Sequence, residues 1–454
     1  MPLRRLFAGL ALVLAACGTT PATPPPTAAE SEPSPRASAI GSLGPVTPTI
    51  EPAPGSSSVV YAPNPGAIVV AIDAGHGGCL DWGVPDPSAR GVDRAEKTMT
   101  LGIATRLAAL LEADGIGVVM IREKDEALAG DNHPAFGCDG PAWRDVNGDG
   151  LAGFGDDDLP EGTRTRDELQ ARLDLANLAA ADVLLSIHIN SPTGNGRPVE
   201  IAFTETFYTD ETPWGMTETA RLASSVQAGV VAELGEIATY DRGDRSIATH
   251  NFYMVAPPLF EVTDERPDPW RQPTRGGLMP VVLSEVGSIS LRAEHDLLAD
   301  AAGQDAVARG LFDGLAAFFE RRTLAARIGL AAAPVGEAPA AIAGDGPPFW
   351  SPAVRTGDLL LRISNTGTGA WREPLRLVAG WEASDQPYLA SAPELTPLAV
   401  EVPALEPGES ATVFASLPPA PDGRGVAWIS LREGGGATLA DLGSPALQLS
   451  RESP

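Results

Sequence analysis

Positive charge is scarce in this chain. Against 59 aspartates and glutamates stand 32 lysines and arginines, a net charge of −27 over 454 residues. That balance excludes a protein built to grip a nucleic-acid phosphate backbone, which needs basic patches. It predicts a soluble, self-repelling surface. Internal repeats are absent, which excludes a solenoid or a propeller. The apolar stretch Leu6 to Ala16 is too short to span a bilayer as a mature helix. Cysteine is nearly missing, with three in the chain, and histidine is little commoner, with five. What the chain has is length and core: 454 residues at 43% hydrophobic content predict two or more packed domains.

The N-terminus reads as a processing signal. Arg4 and Arg5 precede the apolar stretch, and Leu14-Ala15-Ala16-Cys17 resembles a bacterial lipoprotein box. That resemblance implies a signal peptide over 1–17, cleavage before Cys17 and lipid attachment to its thiol, hence an exported protein anchored in the cell envelope. Residues 18–66 are rich in Pro, Thr, Ser, Ala and Glu, cannot bury a core, and are expected to be a disordered tether. At about 3.1 Å per residue such a tether reaches on the order of 100 Å. The Ala/Pro/Gly-rich segment 323–345 reads as a second linker.

Between the two linkers, over 67–322, strand and helix patterns alternate. Apolar runs at 68–73, 118–121, 183–187 and 281–284 predict strands. Apolar residues at helical spacing predict helices over 97–114, 166–180, 219–234 and 305–319. The alternation predicts an α/β domain with a mostly parallel sheet flanked by helices. Residues 346–454 differ: short alternating runs such as LLLRIS, ATVFASL and GVAWISL between Pro/Gly turns predict an all-β sandwich.

In parallel α/β sheets, ligand sites form outside the carboxyl ends of strands. The first strand ends in AIDAGHGG with His76, the 183–187 strand in His188 and Asn190, and the 281–284 strand in Glu285. Glu96 opens the helix after the glycine loop and so also sits at this rim. Taken singly each has a plainer reading: a turn histidine, a helix N-terminal carboxylate, a salt-bridged glutamate. Together they form a His₂Glu set for zinc, namely His76, Glu96 and His188, which leaves one coordination position for water. Glu285 is left as the carboxylate that accepts the water's proton and returns it to a leaving amine. His133, His250 and His295 have no such setting and read as surface or structural.

Four segments in order, IDAGHGG, EKTMTLGIATRLAALLEADG, ARLDLANLAAADVLLSIHIN and VVLSEVG, resemble the zinc-dependent N-acetylmuramoyl-L-alanine amidases of the amidase-3 type. The resemblance covers roughly residues 67 to 322. It implies zinc on His76, Glu96 and His188, catalysis by Glu285, and cleavage of peptidoglycan between the lactyl group of N-acetylmuramic acid and L-alanine of the stem peptide. The last motif departs from the family in continuing Gly287-Ser288-Ile289-Ser290 rather than with an aromatic and an asparagine, which touches rim contacts and not the metal. Sheet-rim logic alone would fit a zinc carboxypeptidase or endopeptidase on stem peptides, against which only the motif order argues; a non-catalytic muropeptide-binding protein is the other alternative, though such proteins usually lose the metal set or the base and this chain retains candidates for all four. In the C-terminal part, SNTGTGAW followed by LEPGES resembles the immunoglobulin-like domain of the next-to-BRCA1 family, which implies a binding or spacing module.

The segment 123–164 reads as an insertion. Within it Asp145, Asn147, Asp149, the Leu151 carbonyl and Asp156 fall at calcium-loop positions over 145–156, with Gly150 at the sharp turn. The plainer reading is a solvated acidic loop. Cys79 and Cys138 are the remaining cysteines. An oxidising compartment favours a disulfide between them, while two free thiols, or Cys79 as a metal ligand three residues after His76, stay open.

Overall fold

The computed structural model describes residues 68–78, 81–84, 94–129, 146, 166–194, 197–257, 275–331, 353–354, 358–382, 393–420 and 425–451. The expected signal segment with Cys17, the expected tether 18–66, Cys79, Cys138 and the expected calcium-loop residues Asp145, Asn147, Asp149, Leu151 and Asp156 lie outside them. No helix among the described residues is long and apolar enough to cross a membrane.

The first layer follows the expected alternation. In chain order it comprises β1 (Val69–Ala74), α1 (Glu96–Ala113), β2 (Gly117–Met120), α2 (Arg166–Leu178), β3 (Val183–Asn190), and a two-residue hairpin of β4 (Thr193–Gly194) and β5 (Arg197–Pro198). Then come β6 (Phe203–Tyr208), a π-helical turn Gly215–Thr219, α3 (Ala220–Ile237), β7 (Gly243–Thr249), β8 (Val281–Ser288), α4 (Arg292–Ala299) and α5 (Ala301–Glu320). One sheet runs β2-β1-β3-β8-β6-β7. Its pairings are parallel except where β6 meets β8 antiparallel. Every residue of β1 is buried, as befits a central parallel strand covered on both faces. The parallel register brings the ends of β1, β3 and β8 to one rim, with His188 directly beside Glu285.

The C-terminal layers hold β9 (Ala326–Leu330), β10 (Ala353–Val354), β11 (Asp358–Asn365), β12 (Leu375–Glu382), β13 (Thr396–Val402), β14 (Ser410–Ser416), β15 (Val426–Arg432) and β16 (Leu447–Arg451). They form two sheets, β10-β16-β15-β12-β13 and β14-β11-β9. Leu361 and Ile363 of β11, Ala415 of β14, Leu377 of β12, and Ile429 and Leu431 of β15 share one buried cluster between them. The segments SNTGTGAW and LEPGES touch. The Asn365 side chain donates to the Gly369 and Leu405 carbonyls at 2.8 and 3.0 Å, and Asn365 N donates to Glu409 O at 2.9 Å.

The expected linker 323–345 is corrected at its start. Ala326–Leu330 is a strand, paired antiparallel with β11 and following α5 after a short turn. Ala326 and Ile328 point into the sandwich core, so small apolar residues that look like linker composition are packed. The sandwich is also welded to the α/β layer. The fully buried Asp182, just before β3, accepts from Val69 N at 2.9 Å and from Arg322 Nη1 at 2.9 Å. It accepts further from Arg327 Nη2 at 2.5 Å and Thr366 Oγ1 at 3.2 Å. Arg322 Nη2 continues to Gly443 O at 2.9 Å. Beside this knot, Leu278, Met279 and Val281 pack in one cluster with Val378, Val426 and Trp428. The weld sits where the parallel strands start, opposite the rim where they end.

Candidate metal centre

His76 follows β1 on a loop that turns sharply, its own φ at +63°, a left-handed conformation that costs a non-glycine residue on the order of 1 kcal/mol. Two buried arginines hold that loop by its carbonyls. Arg172 donates to Ala74 O at 3.0 Å and His76 O at 2.8 Å, while its charge is met by Asp73 at 2.6 Å and Glu168 at 2.8 Å. Arg122 donates to Ala74 O at 2.8 Å, Gly75 O at 3.1 Å and Lys97 O at 2.6 Å. Burial works to raise the Asp73 carboxyl, but the Arg172 charge and the Ser186 hydroxyl hold it below the ordinary carboxylate range. Asp73 thus holds Arg172 under the loop.

Three donor atoms converge at the rim. His76 Nε2 lies 3.1 Å from Glu96 Oε1, His188 Nδ1 lies 3.1 Å from His76 Nε2, and His188 Nδ1 lies 3.3 Å from Glu96 Oε1. Four ligands at about 2.0–2.1 Å from a tetrahedral zinc ion stand about 3.3 Å from one another. The triangle therefore fits three corners of such a tetrahedron, and its donors are the imidazole and carboxylate that zinc accepts. Among the described residues this is the group that could hold a metal ion.

Each ligand is aimed by a further contact. His76 Nδ1 stands 2.6 Å from Asp81 Oδ1, which fixes the proton on Nδ1 and turns the Nε2 lone pair toward the centre. Glu96, 2% exposed at the first position of α1, is held at both oxygens: Oε1 accepts from Ile189 N and Oε2 from Val84 N, each at 2.9 Å. Burial pushes the Glu96 carboxyl up, but the His76 charge and hydrogen bonds from both imidazoles hold it well below the usual range. For His76 burial lowers the pKa and Glu96 and Asp81 overcome it, raising the imidazole to about 10. A cation held at the centre would take the place of the proton on His76 Nε2.

Two glycines make the close packing geometrically allowed. A Cβ on Gly75 would stand 2.5 Å from the His188 ring. One on Gly83, at φ +67°, would stand 2.4 Å from Glu96 Oε2 and 2.6 Å from His76 Cδ2. Glu285 is beside His188 in register and beside Glu205 across the antiparallel pairing. Its Oε2 is buried without a hydrogen-bond partner. Burial, then the negative charges of Glu96 and Glu205, push its carboxyl well above the ordinary range against the pull of His76.

A family model described as N-acetylmuramoyl-L-alanine amidase matches residues 70–317. The chain belongs to that family. The germination-specific N-acetylmuramoyl-L-alanine amidase of Bacillus subtilis (strain 168) is 24% identical over 259 residues, 56% of this chain and 81% of the relative. N-acetylmuramoyl-L-alanine amidase LytC of the same strain is 26% identical over 255 residues, 55% of this chain and 35% of the relative. Among solved structures, the amidase AmiC2 of Nostoc punctiforme aligns over 56% of this chain and 98% of its own, with a TM-score of 0.36 at 22% identity.

In this amidase the structure brings together His76, Glu96 and His188 and sets Glu285 beside them. Cys79, Cys138 and the calcium-loop residues fall outside the described part, so the disulfide and the calcium site have no structural account. His295 is buried, its ring Nε2 3.0 Å from Arg94 O, while His250 stacks on Phe252 at 3.9 Å; neither is in the donor cluster. Sequence reasoning missed Asp81, Gly83 and the Arg172 support. A carboxylate five residues after the first histidine, in the same glycine-rich turn, was the available signal for Asp81.

Proposed function

We propose that the chain hydrolyses the amide between the lactyl group of N-acetylmuramic acid and L-alanine of the peptidoglycan stem peptide, with zinc on His76, Glu96 and His188 and Glu285 moving the proton. The observation that carries this reading is the triangle of donor atoms at 3.1–3.3 Å, gathered from a loop, a helix start and a strand end, with a carboxylate alongside. Zinc bound there would supply Lewis acidity to the scissile carbonyl and to a water beside it.

The chain's own residues do the rest. Glu96, gripped by two backbone N–H groups, and His76, gripped by Asp81, cannot swing away when substrate arrives. Glu285 Oε2, buried and unpaired, is costly to leave so and gains a partner when water or substrate enters. Its carboxylate accepts the proton of the attacking water as the new C–O bond forms. It then donates that proton to the alanine nitrogen as the C–N bond breaks, so that a free amino terminus leaves. The surrounding reading is an exported protein, lipid-anchored at Cys17, whose C-terminal sheets form an immunoglobulin-like module.

Glu285→Gln tests the assignment. The variant is expected to retain one zinc per chain and bound muropeptide while losing about 10²–10⁴-fold in turnover. Hydrolysis of sacculi at the wild-type rate overturns the role of Glu285. Mass spectrometry of the wild-type products separates the amidase from a carboxypeptidase or endopeptidase. New L-alanine amino termini without released D-amino acids are expected, and released D-amino acids overturn the bond assignment.

A further inference from the structure

The residues at the rim continue in a row past the metal ligands. His188 of β3 pairs with Glu285 of β8, and Glu285 pairs with Glu205 of β6. Directly opposed residues share a face, so these three side chains stand on one side of the sheet. The next strand is β7, the edge of the sheet. Its register with β6 slips at this level: Thr204 faces Asp244 but Thr206 faces Ile247, so Arg245 and Ser246 together oppose Glu205. This is a β-bulge, a device that re-aims a side chain at a sheet edge.

The bulge is held in place at some cost. Ser246 sits at φ +65°. Asp244 Oδ1 accepts from Ser246 N at 2.7 Å and from Gln227 Nε2 of α3 at 2.6 Å, and Gln227 Nε2 also donates to Thr204 O at 2.9 Å. What the bulge presents is Arg245. Its guanidinium lies 3.6 Å over the Phe203 ring and 3.7 Å from Glu205 Oε2, with the side chain 44% exposed. Three other arginines of this layer are spent in buried contacts: Arg172 at 2.6 Å on Asp73, Arg275 at 2.7 Å on Asp174, Arg242 at 2.9 Å on Glu294. A single contact at 3.7 Å, with the arginine 44% exposed, leaves most of the donor fork available.

We propose that Arg245 anchors a carboxylate carried by the peptide half of the substrate and so sets which stem peptides the enzyme accepts. The proposal rests on the amidase reading above. Strands stand about 4.8 Å apart, which puts the β7 backbone roughly 14 Å from that of β3. The Arg245 guanidinium, reaching back to Glu205, therefore serves an acid group roughly 10–14 Å from the scissile bond. An extended peptide at about 3.3 Å per residue covers that span in three or four residues. Phe203 presets the guanidinium plane, so little side-chain freedom is lost when the acid docks. A carboxamide at the same place cannot make the charge-assisted fork.

The test uses the full chain and synthetic N-acetylmuramoyl-L-alanyl peptides bearing either a free carboxylate or a carboxamide at the second, third or fourth stem residue. Wild type is expected to favour the acid over the amide at one position by about tenfold in kcat/KM, expressed in KM. Arg245→Gln is expected to abolish that preference by weakening the acid alone, and Arg245→Lys to restore part of it. Zinc content and melting temperature, unchanged in both variants, show that the fold is intact. Equal rates on acid and amide at every position overturn the proposal, as does a loss in Arg245→Gln that falls equally on both. If wild type cleaves none of these peptides, the amidase reading itself fails, and the anchor with it.

Discussion

Replacing Asp182 with asparagine tests whether the sandwich and the α/β layer are one cooperative body. Asp182 is fully buried and its two oxygens serve Val69 N, Arg322, Arg327 and Thr366. Asparagine keeps the shape and one acceptor, but turns a donor toward a guanidinium and leaves two buried positive charges facing each other. Arg322 retains Gly443 O and Ser444 Oγ, and Arg327 retains a 3.3 Å contact to Ala180 O. Removing one partner of a buried pair costs about 3–5 kcal/mol. With an unfolding entropy of about 2.1 cal/mol/K per residue over roughly 350 cooperating residues, that cost lowers Tm by about 4–7 °C. Differential scanning calorimetry checks it. A single transition, moved down by that amount as a whole, is expected. A shift under about 1 °C refutes the energetic reasoning, and two transitions in wild type, of which only one moves, refute the single body.

Asp81→Asn removes the anion that fixes the His76 tautomer and is expected to weaken zinc binding about 10–100-fold, read by competition with a chromogenic chelator. Unchanged affinity would show that the 2.6 Å contact does nothing for the ligand. Gly83→Ala puts a methyl 2.4 Å from Glu96 Oε2 and 2.6 Å from His76 Cδ2, so purified protein is expected to hold well under one zinc per chain while staying folded. Full zinc occupancy in that variant would place the two ligands elsewhere.

How much of this was legible beforehand follows from how each element is buried. β1, β3 and β8 are central strands covered on both faces, so they read as apolar runs, and their ends gave His76, His188 and Glu285 directly. β6 and β7 escaped notice. β6 reads FTETFY and keeps Thr204 and Thr206 buried by spending their hydroxyls on Val286 O and on Gln227, a pattern that composition scores as polar. β7 reads GDRSIAT, lies at the sheet edge, is largely exposed, and is broken by the bulge that displays Arg245. β9 was hidden by its own brevity: five residues, ARIGL, beside Ala/Pro/Gly-rich sequence. Asp182 looks like any loop aspartate before a strand, and nothing in its neighbours announces Arg322, Arg327 and Thr366, which come from far along the chain.

The position of the weld bears on what the C-terminal sheets can do. A linker over 323–345 would let the sandwich swing, and a swinging module can search for a ligand at any distance its tether allows. With Arg322 and Arg327 closed on Asp182 and with β9 leaving α5 after a short turn, that freedom is gone. The sandwich covers the starts of the parallel strands, so the ends that carry His188, Glu285 and the row toward Arg245 are left to the substrate. Any binding surface on the sandwich is therefore held at a fixed distance and angle from His76, Glu96 and His188.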